Sequence, residues 1–242
     1  MKMLLKPAAI GLLSVGLLLA TPAVRAQDLP VMEWIGPEIE SQRFNALVRD
    51  NLTIDTNGAA RLTTLASAAS LPYSPTPALK KETVQGYVAR LKTKSPTAAQ
   101  AVAANFGSDK FNYGTIYNGL VSGYSLTEND AVDALAMYLV LGYTIVNNIQ
   151  NNKLVNPAMV QGARAQFGLK LARNPKLMAP SVAAQLGEEM KLQCVVLQGG
   201  WQAAINEGRL PAYRQNVASL FKTQWGFDVS QLRLTKLGFS KR

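Results

Sequence analysis

The chain has no histidine among its 242 residues and a single cysteine, Cys194. Without histidine there is no Ser-His-Asp or Cys-His activation of a nucleophile. Zinc, copper and non-haem iron sites that depend on imidazole are excluded with it. One cysteine allows neither an intramolecular disulfide nor a thiolate cluster around a metal. Such a thiol either bridges to another chain or is buried as a small hydrophobe, and burial is the expectation for Cys194. Walker A and Rossmann glycine patterns are also missing, as is any nucleic-acid-binding motif. The chain is therefore expected to use no cofactor and no metal and to bind no nucleic acid. Strand-like alternation is nearly absent, and there is neither an internal repeat nor a low-complexity tract. Charge is sparse at 17% of residues, and none falls between Asp133 and Lys153.

What is present begins with a leader. Lys2 and Lys6 form a basic start, Ala8 to Ala20 is uncharged and rich in leucine, and Val24-Arg25-Ala26 fits a cleavage site. Residues 1–26 read as a secretory signal peptide that places the protein in the periplasm or outside the cell. The uncharged run is 18 residues, at the threshold of a membrane span, but Thr21-Pro22 breaks its end. No later run is long enough to cross a bilayer, so no transmembrane segment is expected after cleavage. The chain carries a net charge of +10; without Lys2, Lys6 and Arg25 there remain 22 basic and 15 acidic residues, a net +7. Such a balance suits solubility and attraction to anionic surfaces rather than any particular fold.

Residues 27–70 carry turn signals such as Gly36-Pro37 and Asn57-Gly58 and read as an irregular extension or linker. Residues 71–242 read as one helical domain. Thr76-Pro77, Ser95-Pro96, Asn156-Pro157 and Asn174-Pro175 each set a capping side chain before a proline, the expected N-cap and N1 pairing. Apolar residues then recur at helical spacing: Val84, Tyr87, Val88 and Leu91; Tyr113, Ile116, Tyr117 and Leu120; Met190, Cys194, Leu197 and Trp201; Tyr213, Val217, Leu220 and Phe221. Gly123, Gly208 and Gly226 are the predicted stops. Val229 to Phe239 fits a short helix or an extended strap. The fold class is all-α, a single-domain bundle of about seven helices around one buried helix at roughly 127–147.

That central helix is announced by Ser125-Leu126-Thr127-Glu128, a capping-box pattern, with Thr127 or Asn129 as alternative caps. Glu128, Asp130 and Asp133 place negative charge where a helix start favours it. From Ala134 to Val146 the sequence is apolar on every helical face, which marks a helix surrounded by others. The same three acids are the candidate catalytic residues, since glycoside hydrolysis needs a carboxylate pair ~5–9.5 Å apart. Capping explains them without a reaction. Glu188-Glu189 is a second acidic pair whose members diverge on a helix, and it reads as a solvated face. The tyrosines Tyr73, Tyr87, Tyr113, Tyr117, Tyr138 and Tyr143 fit a core better than a sugar pocket. Arg209, Arg214, Lys222, Arg233, Lys236, Lys241 and Arg242 concentrate basic charge near the C-terminus.

Leu71-x-Tyr73-x-Pro75, Gly119-Leu120, Asn129-Asp130-Ala131-Val132-Asp133-Ala134 leading to Tyr138, and Leu234-Thr235-x-x-Gly238-Phe239 together resemble a family of uncharacterised bacterial secreted proteins, a domain of unknown function, over roughly 71–239. The resemblance implies export and a helical domain and carries no catalytic residue with it. Two functions stay open. The first is a non-catalytic envelope module that binds anionic glycan, anionic lipid or another envelope protein. The second is a histidine-independent glycan hydrolase of the cell wall.

Overall fold

The computed structural model describes residues 70–93, 95–107, 111–151, 154–172 and 174–242; the predicted signal peptide, 1–26, and all but the last residue of the predicted extension, 27–70, lie outside the described residues. Seven α-helices are present among the described residues: α1 Pro77–Lys92, α2 Pro96–Phe106, α3 Tyr113–Val121, α4 Ala131–Val146, α5 Pro157–Ala172, α6 Pro180–Asn206 and α7 Leu210–Trp225. A 3-10 turn, Val229–Gln231, leads into an antiparallel hairpin, β1 Leu232–Thr235 and β2 Gly238–Lys241. The all-α bundle of seven helices is as the sequence predicts.

Local chemistry accounts for most helix ends. Thr76 accepts from the Leu79 amide at 3.1 Å and caps α1, and Ser95 accepts from Ala98 and caps α2. Asn156 accepts from the Met159 amide at 3.1 Å before α5. Asn174-Pro175 departs from the pattern. Asn174 accepts from Lys176, but the segment closes only a turn, and α6 starts at Pro180 behind Ala179, which has no capping side chain. At the far end of α6, Gly208 takes φ +68°, and Gly226 ends α7 at φ +72°, conformations in which glycine avoids a Cβ clash. Helix α3 stops at Val121 with Ser122 as its C-cap, ahead of the predicted Gly123.

Helix α4 is the axis. Every residue from Ala131 to Val146 is buried except Thr144. It packs against α6, α5 and α7, while α1 and α3 lie on α6 and α2 lies on α1. Gly142 lets the Phe221 ring of α7 approach so closely that a Cβ would overlap it. Tyr138 stacks on the same ring, with centroids 5.1 Å apart. The hairpin lies on α5. The Gln166 side chain pairs with the Phe239 backbone in both senses, donating to its carbonyl at 2.9 Å and accepting its N–H at 2.8 Å. Arg214 of α7 donates twice to the Val146 carbonyl, at 3.1 and 2.9 Å, and so satisfies one of the free carbonyls at the α4 C-terminus. Cys194 is fully buried on α6, and burial pushes its thiol pKa well up.

Candidate functional site

The predicted site residues gather at the start of α4, but each acid is engaged in a different piece of scaffold. The N-cap is Asp130, not Thr127 or Asn129, so α4 begins four residues later than the 127 expected. Asp130 Oδ1 accepts the Val132 and Asp133 amides at 2.8 and 3.1 Å. Its Oδ2 accepts the Leu71 amide at 2.9 Å and the Ser70 hydroxyl. Asp133, in the first turn, accepts the Thr127 amide at 2.6 Å and forms an ion pair with Arg164 of α5. Burial raises the Asp133 pKa above its ordinary 3.8, and the Thr127 N–H and the Arg164 charge oppose that rise. Glu128 serves another helix. Asn112 caps α3 by accepting from Gly114 at 2.9 Å. A Cβ on Gly114 would lie 3.1 Å from Glu128 Oε1, which puts this carboxylate at the positive end of α3.

A second polar group, on α6, escaped the sequence reading. Glu188 and Lys191 are both fully buried and form an ion pair one helical turn apart. Glu188 also accepts the Tyr73 hydroxyl at 2.8 Å and the Tyr113 hydroxyl, and Lys191 donates to Asn129 Oδ1 at 3.0 Å. Its ammonium lies 5.3 Å from the centre of the Tyr73 ring, a cation–π distance. Gly187 sits under that ring, where a Cβ would overlap it. A glycine inside a helix costs ~1 kcal/mol relative to alanine, so the close approach of Tyr73 is its physical explanation. Glu188 is thus a correction to the solvated face expected for Glu188-Glu189. Only Glu189 is near the surface, paired with Arg90 of α1. Burial and the neighbouring Glu188 carboxylate push the Tyr73 and Tyr113 hydroxyls far above their ordinary pKa of 10, so both act as donors.

These two groups hold the segment Ser70–Tyr73 as a strap across the start of α4. Tyr73 N–H donates to the Asn129 carbonyl and Ala131 N–H to the Leu71 carbonyl, both at 3.0 Å, around an antiparallel bridge between Pro72 and Asp130. The motif residues Leu71, Tyr73, Asn129, Asp130 and Asp133 therefore meet in space. A buried ion pair of this kind adds little net stability, whereas removing one partner typically costs ~3–5 kcal/mol. Its effect is to fix where the strap and α3 dock.

The tyrosines are core residues: Tyr87, Tyr117 and Tyr138 are fully buried, and Tyr113 and Tyr143 nearly so. A groove of about 410 Å³ lies elsewhere, between α1 and α2, lined by Val84, Gln85, Val88, Ala89, Lys92, Ala103 and Gly107. It contains no acid and no tyrosine. Among the described residues no three histidine, cysteine, aspartate or glutamate side chains gather in a way that could hold a metal. Several predicted basic residues are structural. Arg214 caps α4, and Arg242 donates to the Leu232 carbonyl and to Asn147. No family model, curated protein or solved structure matches the chain.

Proposed function

We propose that this is an exported, non-catalytic binding protein of the bacterial envelope whose C-terminal hairpin contacts an anionic lipid surface. The observation that carries the reading is the composition of that hairpin. Arg233, Lys236, Lys241 and Arg242 are exposed, and the chain has no acid from residue 229 to 242. Leu237 is exposed in the turn beside Lys236, while Leu232, Leu234 and Phe239 anchor the hairpin to the body. A basic loop with an apolar tip suits headgroups above an acyl boundary, with each basic residue near the surface worth ~1 kcal/mol. The wider charge pattern agrees. Residues 70–242 carry 19 lysines and arginines against nine acids, and residues 27–69 carry three against six. Among the described residues no helix is long and apolar enough to cross a membrane. The leader and the resemblance to secreted bacterial proteins support export.

No observation favours the glycan hydrolase. Its carboxylates Asp130 and Asp133 have both oxygens occupied by amides, a hydroxyl and a guanidinium, and Glu128 lies at a helix start.

Co-sedimentation with vesicles tests the reading. Retention on vesicles rich in phosphatidylglycerol is expected to fall steeply as salt rises, since exposed charges are screened within roughly a Debye length of ~10 Å at 0.1 M. Reversing Lys236 and Lys241 to Glu is expected to weaken retention more than about tenfold at unchanged melting temperature. Equal retention on neutral vesicles, or none on either, sinks the proposal. Retention only on anionic glycan moves the ligand from lipid to sugar.

A further inference from the structure

The strap is held to the helical body as a peptide ligand is held. It combines two main-chain hydrogen bonds with side chains seated on alternate residues, Leu71 and Tyr73, while Pro72 between them is exposed. Its contacts divide cleanly from those the body needs for itself. Asp130 uses Oδ1 to cap α4 and Oδ2 for the strap. If Tyr73 left, Glu188 would keep Lys191 and Tyr113, and Lys191 would keep Asn129. No buried charge would lose its last partner. Pro72, Pro75 and Pro77 hold the segment extended whether or not it is docked.

We propose that Gly187, Glu188 and Lys191 form a binding site for a phenolic side chain on an extended segment, filled in cis by Tyr73, and that Ser70–Tyr73 is a detachable ligand of the helical body. The ligand chemistry follows from the socket. Gly187 leaves room for a flat ring, the Lys191 ammonium faces that ring at 5.3 Å, and Glu188 Oε1 takes a hydroxyl proton donor at 2.8 Å. Tyrosine satisfies all three requirements, and phenylalanine lacks the donor. A tyrosine-bearing segment from elsewhere would compete with the strap for the same seat. The inference is independent of the lipid-contact reading, because the socket lies at the start of α4 and not on the hairpin.

The test uses the full chain, with 4-methylphenol as the probe. Tyr73→Ala is expected to lower the melting temperature, and millimolar 4-methylphenol to raise it again by about 2 °C or more through mass action. Toluene should do less, and wild type should not respond, since its socket is filled. Gly187→Ala fills the socket with a methyl group and is less disruptive. In it the Leu71 and Tyr73 amides are expected to exchange about tenfold faster while the interior of α4 keeps its protection. Added to Tyr73→Ala, Gly187→Ala should abolish the response to 4-methylphenol and raise the melting temperature. The proposal is overturned if the wild-type Leu71 and Tyr73 amides exchange only as slowly as the α4 interior, for the strap then opens only with the whole protein. It is equally overturned if 4-methylphenol stabilises wild type and Tyr73→Ala alike or not at all, or if Tyr73→Ala does not fold.

Discussion

Asp133 and Asp228 pull the pH dependence of stability in opposite directions. Burial raises the folded pKa of Asp133 above 3.8. The folded state then binds that proton more tightly than the unfolded chain does. The contribution is fully present below 3.8 and is lost as pH rises through the raised value. Asp228 accepts the Ser230 amide at 2.9 Å and its hydroxyl at 2.6 Å, and these bonds lower its pKa below 3.8. Its contribution is present above 3.8 and is lost as pH falls through the lowered value. Urea unfolding of wild type, Asp133→Asn and Asp228→Asn between about pH 3 and 7 separates the two. The stability lost by Asp228→Asn is expected to shrink on acidification, while the balance between wild type and Asp133→Asn shifts toward wild type. Parallel pH trends in the two differences would refute the assignment. At this scale, what the sequence shows depends on distance along the chain. Thr76, Ser95 and Asn156 are legible because a cap bonds to a residue three places on. Glu188 is not: a Glu-Lys pair three residues apart is equally at home on an exposed helix face, and the partners that bury it, Tyr73 and Tyr113, lie 115 and 75 residues away.

The elements divide their glycines into those that admit a neighbour and those that face open space. Gly162 of α5 lies under the hairpin turn, where a Cβ would overlap the Lys236 carbonyl and the Gly238 amide. Gly238 itself takes φ +95°. Around Gly119 of α3 and Gly199 of α6 nothing lies within 4 Å of a Cβ. Gly162→Ala is therefore expected to destabilise by ~1–3 kcal/mol, as overpacking does. Gly119→Ala and Gly199→Ala are each expected to stabilise by ~0.5–1 kcal/mol by removing backbone freedom from the unfolded chain. Chemical denaturation of the three variants checks the opposite signs, and a stabilising Gly162→Ala would mean that the hairpin does not rest on α5. Helices α1 and α7 are legible in the sequence because helical periodicity follows the Thr76-Pro77 start in α1 and runs up to the Gly226 stop in α7. The hairpin is not: Leu232 to Lys241 makes two four-residue strands whose edge partner is the side chain of Gln166, a contact no local pattern announces.

Across the whole molecule, α4 ties the described parts together. The strap bonds to its N-terminus through Asp130, Arg214 and Arg242 reach its C-terminal end, and one continuous apolar core runs from Leu71 to Phe239. The buried central helix is legible because an apolar run without charge has nowhere else to go. Which helix lies on which is not, because that depends on gaps such as Gly142 meeting rings such as Phe221. A core shared in this way predicts that α4, α6 and α7 unfold together, with the strap alone able to open first. Cys194 supplies the probe. It is the only cysteine and it is fully buried on α6, against the core around α4. A thiol reagent can reach it only when α6 separates from that core. In a urea series, the midpoint of Cys194 labelling is expected to coincide with the loss of helical circular dichroism, and Gly162→Ala should move both midpoints by the same amount. Labelling that runs well ahead of the loss of helix would mean that α6 leaves α4 on its own. The strap and its socket would then be opening together with α6 and not against a closed body.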